Sequence, residues 1–140
     1  MDAYLLEWLN LLVRWLHVVA GIAWIGSSFY FIWLDNSLKP PRSASEPGVA
    51  GEVWSVHGGG FYHARRFKIA PAPLPQPLHW FKWEAYTTWA SGIFLTALIY
   101  WYGASVYLVD PAVMALSPGI AVGIAIAFLA GGWVVYDVLC

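Results

Sequence analysis

Three long stretches of this chain carry no charged side chain: residues 15–34, 85–109 and 111–136 contain no Asp, Glu, Lys or Arg. A helix of about 20 apolar residues crosses a hydrocarbon core of roughly 30 Å. Three such runs predict an all-α integral membrane protein, a bundle of three transmembrane helices over residues 9–34, 83–102 and 118–139. The composition agrees, with 60% hydrophobic and 11% charged residues, where a soluble domain carries about 25% charged. The first run does not read as a cleavable signal peptide. Asp2 and Glu7 precede it, no basic residue comes before Arg14, and it exceeds an h-region of about 7–15 residues. Cys140 is the single cysteine, which excludes an internal disulfide and a zinc site of paired cysteines. No basic stripe on a nucleic-acid module is present, so nucleic acid is not an expected partner.

The polar segment between the first two runs, the loop 35–82, holds three of the four histidines and six of the seven Lys/Arg residues. Those cations are Lys39, Arg42, Arg65, Arg66, Lys68 and Lys82, whereas residues 103–117 have none. The positive-inside rule then puts the loop in the cytoplasm and the N-terminus on the periplasmic side of a bacterial inner membrane, with Asp2, Glu7 and Asp110 outside. Gly119, Gly123, Ala127 and Gly131 recur every fourth position in the third run. Small residues so spaced let another helix approach closely. Together with the stop at Cys140, this ladder reads as part of a larger protein or assembly whose remaining transmembrane helices are partners.

His17 is the one histidine within a span. An ionisable group there is a functional candidate, as a haem-iron ligand or as a neutral histidine bonded to a neighbouring helix. Arg14, one turn away, either snorkels to headgroups or holds a haem propionate. Glu84, Thr87, Thr88 and Ser91 share one helix face, and Glu84 either pairs with Lys82 or Lys68 or joins a site. His57-Gly58-Gly59-Gly60-Phe61-Tyr62-His63 offers two imidazoles around glycines that permit positive φ and close approach of a ligand. With His79 this makes three imidazoles able to bind metal or move protons, although their spacing matches no recognised metal pattern. The prolines of residues 70–77 suit a stiff extended spacer. His17 and His79 lie about 20 Å apart along the membrane normal at 1.5 Å per residue, so one haem cannot take both.

These residues carry a resemblance. Arg14-Trp15-Leu16-His17, Ala23-Trp24-Ile25-Gly26-Ser27-Ser28-Phe29-Tyr30, the His57–His63 motif, His79-Trp80-Phe81-Lys82-Trp83-Glu84 and Gly132-Trp133-Val134-Val135-Tyr136-Asp137 resemble the N-terminal membrane domain of the bacterial membrane-bound, cytochrome c-linked urate oxidases. The likeness covers nearly the whole chain, residues 1–140. The first span also resembles, more weakly, the membrane protoporphyrinogen oxidases. The urate oxidase resemblance implies conversion of urate to 5-hydroxyisourate, with electrons passed to cytochrome c. It also implies a longer protein of about eight membrane-crossing spans. The chain has no Cys-x-x-Cys-His motif, so the cytochrome c haem would come from a C-terminal domain or partner, and this piece alone is expected to be inactive.

On that reading the site comprises His57, His63, Arg65, Arg66, His79 and Glu84, with the guanidinium groups drawing in a planar anion and a haem b held by His17 and Arg14. Lipid contact and topology alone explain the basic residues equally well. The competing reading is a non-enzymatic haem-binding electron-transfer subunit of the membrane, and a third is a transport or scaffold protein.

Overall fold

A computed structural model describes residues 3–42 and 48–140; Asp2, expected on the outer side, lies outside the described residues. Helix α1 spans Ala3–Ser37, and is followed by strands β1 (Val49–His57) and β2 (Gly60–Phe67). Helix α2 (Trp83–Thr96) passes into a π-helical turn, Ala97–Tyr102. The short α3 (Ala104–Tyr107) and the long α4 (Pro118–Leu139) complete the order. The chain divides into two compact units, residues 1–21 with 84–140, and residues 22–83.

The expected bundle of three membrane-crossing helices around an irregular loop is corrected on two counts. First, the loop contains an antiparallel hairpin. Val49, Gly51, Val53, Ser55 and His57 alternate with Ala50, Glu52, Trp54 and Val56 along β1, and β2 pairs with it from Val49↔Phe67 to His57↔Gly60, with an irregularity between Val49 and Gly51. Gly58 and Gly59, at φ +58° and +81°, form the two-residue connection. Positive φ at both positions is the type I′ signature, whose twist matches that of the strands it joins. The glycines therefore make a turn, where the sequence reading had them admit a ligand.

Second, the middle apolar run is not one long α-helix. α2 ends after 14 residues, at Thr96, and the π-helical turn takes over. A Cβ at Gly103 would lie 2.6 Å from the carbonyl oxygen of Ile99, so the close approach that ends this turn requires glycine. Among the described residues, only α1 and α4 are both long and apolar enough to cross a membrane. α1 is longer than expected, taking in Glu7, and stops before Pro40 and Pro41. α4 begins where expected: the Ser117 hydroxyl accepts from the Ile120 N–H and Pro118 occupies the first turn, where its missing N–H costs nothing.

In the first unit the buried side chains are small: Ala20, Ser91, Ala104 and Ala121. No large side chain among the described residues is fully buried, while Phe128 and Val138 of α4 are nearly 80% exposed. The glycine ladder of α4 has open space where each Cβ would be, at Gly119, Gly123 and Gly131. In the second unit, Lys39 and Glu52 exchange two backbone hydrogen bonds of 2.9 Å, a one-residue bridge that ties the chain after α1 to the free edge of β1. Gly51 is buried at this bridge, where a Cβ would meet Leu38 Cβ at 3.0 Å and the Lys39 carbonyl oxygen at 3.2 Å. Phe81 packs edge-on against Phe31 of α1, bringing the chain back after the prolines.

Replacing Gly59 by Val should destabilise the hairpin by about 1–2 kcal/mol, the cost of left-handed backbone for an L residue. Limited proteolysis of the purified protein should show faster cutting within residues 49–67; unchanged protection would rule out the type I′ turn.

Candidate functional site

Strand alternation sorts the loop's side chains before any chemistry is considered. Residues directly opposite in a hairpin share a face. Glu52↔Arg65, Trp54↔His63 and Val56↔Phe61 therefore lie on one face, and Val53↔Ala64, Ser55↔Tyr62 and His57↔Gly60 on the other. His57 and His63 consequently belong to opposite faces. The ladder does not bring the two imidazoles together.

On the first face His63 is held on two sides. Its ring stacks on Trp54 with centroids 4.3 Å apart and planes 7° apart. Its Nε2 lies 3.0 Å from Glu52 Oε2, the diagonal neighbour across the strands. Glu52 Oε1 accepts the Arg42 backbone N–H at 3.0 Å. That N–H bond holds the Glu52 carboxyl below its ordinary value of 4.5, with the bond to His63 and the charges of His63 and Arg65 acting the same way against a smaller opposing effect of desolvation. A small cavity of about 170 Å³ lies beside this node, lined by Lys39, Pro40, Arg42, Glu52, Val53 and Trp54.

A larger cleft of about 670 Å³ is bordered by residues from both faces of the hairpin. Tyr30 and Trp33 of α1, with Trp54, Ser55, Val56, His57 and Tyr62 of the hairpin, line it. Ser55 and His57 stand two residues apart on β1, and Tyr62 faces Ser55 from β2. A Cβ at Gly60 would sit 3.1 Å from the Tyr62 ring and hydroxyl, so the third glycine of the motif makes room for that ring. Tyr30 and Trp33 lie 5.8 Å apart, centroid to centroid, one turn along α1.

The other site residues named from sequence are dispersed. Arg65 is opposite Glu52 and contributes to its field. Arg66 reaches Asp35 at the end of α1 at 3.5 Å, an exposed pair of small energetic weight. His79 packs edge-on against Phe81. Glu84 opens α2, where a carboxylate suits the positive end of the helix dipole; its Oε2 is buried without a hydrogen-bond partner. Among the described residues no group of three or more His, Cys, Asp or Glu side chains is placed to hold a metal ion.

His17 belongs to the first unit. Its Nδ1 is 3.1 Å from both the Thr88 carbonyl oxygen and Ser91 Oγ. A carbonyl only accepts, so Nδ1 carries the proton; the Ser91 hydroxyl donates to Thr87 at 2.6 Å and has a lone pair left for the imidazole. Gly92 lets the ring seat closely, since a Cβ there would lie 3.1 Å from His17 Cε1. Arg14 donates from Nε to Asn10 Oδ1 at 2.6 Å along the same helix.

Sequence reading passed over Glu52, Trp54, Tyr62, Tyr30 and Trp33. A usable signal was present: two runs separated by Gly-Gly pair as a hairpin, and pairing from that turn sets Glu52 opposite Arg65 and diagonal to His63.

The family model described as urate oxidase N-terminal matches residues 3–140. Neither the curated proteins nor the solved structures give a match.

The depressed Glu52 carboxyl has a definite pH consequence. Its contribution to stability is complete above pH 4.5 and is lost as pH falls through the lower value it has in the folded chain. Acid titration followed by proteolysis of the hairpin should show this loss, and Glu52→Gln should flatten the profile. An identical acid profile in the variant would exclude Glu52 as the responsible group.

Proposed function

Because the chain belongs to the urate oxidase N-terminal family, we propose that it serves the oxidation of urate to 5-hydroxyisourate, with cytochrome c as electron acceptor. Urate and one water give 5-hydroxyisourate, two protons and two electrons, and two ferricytochrome c molecules take the electrons one at a time. The family match over residues 3–140 is the observation that supports urate oxidation in this reading. The chain's own residues then have three tasks: bind a planar anion, accept a proton from water, and pass electrons on.

The surfaces of α1 and α4 support a membrane setting. A helix apolar on every side belongs in a protein interior or in lipid, and the large apolar side chains of both helices are exposed. With α1 in the bilayer, the basic residues of the loop 35–82 favour its placement in the cytoplasm and the N-terminus on the periplasmic side.

The surroundings of His17 fit a haem b. Metal-ligating histidines usually donate their other ring N–H to a carbonyl or carboxylate, which fixes the tautomer. The Nδ1–H bond to Thr88 does this and leaves the Nε2 lone pair available. His17 would hold the iron, and the group when bound would supply one-electron transfer. The same geometry supports the second reading, a haem-binding electron-transfer subunit without catalysis of its own.

Membranes from cells expressing the full-length gene should reduce added cytochrome c in a urate-dependent manner and show a Soret band. His17→Ala should remove the band. Urate-independent reduction with an intact Soret band would leave the electron-carrier reading and sink the oxidase; no band in the unmodified protein would remove haem from both.

A further inference from the structure

We infer that the cleft between the last turns of α1 and the hairpin is the binding site for a planar purine, and that His57 is the proton-transferring group within it. This rests on the urate reading above and names the site for it.

The cleft has the dimensions and chemistry of a small-molecule site. Its volume of about 670 Å³ lies inside the usual range of roughly 300–1,000 Å³. Tyr30, Trp33 and Tyr62 supply flat aromatic surface, on which a fused heteroaromatic ring stacks. His57, the Ser55 hydroxyl and the two tyrosine hydroxyls supply the few polar groups that such a ligand's oxygens and ring nitrogens require. Among the described residues His57 has no hydrogen-bond partner, whereas His63 is fixed between Glu52 and Trp54. Gly60 stands opposite His57 in the ladder and has no side chain of its own to set against the imidazole. The motif therefore divides its two histidines: His57 faces the ligand, and His63 positions the strand that carries it.

The step balances without an unnamed reagent. Water oxygen forms a bond to the purine C5 as two electrons leave to the one-electron acceptor. His57 takes one of the two protons released, and the other passes to solvent.

Two variants separate the roles. Tyr62→Ala removes a stacking wall and should raise the dissociation constant for urate, measured by equilibrium dialysis of the detergent-purified protein, by about tenfold or more. His57→Gln should leave that constant within about fivefold, while lowering kcat for urate-dependent cytochrome c reduction by about 100-fold or more. Resistance of the hairpin to protease checks that each variant is folded. Unchanged urate affinity in folded Tyr62→Ala, or unchanged kcat in folded His57→Gln, overturns the assignment of the cleft. A wild-type protein that binds urate in a Tyr62-dependent way yet oxidises none keeps the binding site and overturns both the oxidase reading and the role of His57. Oxidation that survives both substitutions overturns the site and keeps the oxidase.

Discussion

In the unit of residues 22–83 the hairpin is seated through Glu52. Its backbone N–H and carbonyl both bond to Lys39, its Oε1 takes the Arg42 N–H, and its Oε2 meets His63. One residue thus joins the chain leaving α1, the edge of β1 and the face of β2. A lone two-stranded hairpin is marginal in water, so these ties, with the buried contact of Gly51 on Leu38, give it a fixed seat. The cleft inherits its shape from that seat, because one wall comes from α1 and the other from the hairpin.

Part of this was legible in the sequence. α4 could be bounded at both ends, because Ser117 and Pro118 mark a helix start and the apolar run after them is unbroken. The hairpin was not, since Ala50, Gly51 and Ser55 dilute the β-branched alternation that announces a strand, and a Gly-rich stretch between histidines invites a ligand-loop reading. The break in the middle run was hidden for a different reason. Gly103 is one glycine among several in apolar sequence, and only the three-dimensional proximity of the Ile99 carbonyl shows why a side chain cannot stand there.

The candidate site was legible in its residue types and not in its grouping. Histidines and arginines of the loop looked like a single constellation because they are neighbours in sequence. A period of two sends neighbours to opposite faces, and the loop's cations turn out to have separate companions: Arg66 has Asp35, and Arg65 stands across from Glu52. Tyr30, Trp33, Trp54 and Tyr62, given no role from sequence, line the cleft.

The pattern of burial in the first unit inverts the rule for proteins that fold around a greasy centre. Where Ala20, Ser91, Ala104 and Ala121 are the enclosed residues, the contacts leave little room, and an added methylene there must displace a neighbour. The bulky side chains point outward, and one can replace another with little effect on the interior. Enlarging the alanines, the serine or Gly92 is then costly, while exchanges among leucine, isoleucine, valine and phenylalanine on the outer faces of α1 and α4 leave the interior unchanged.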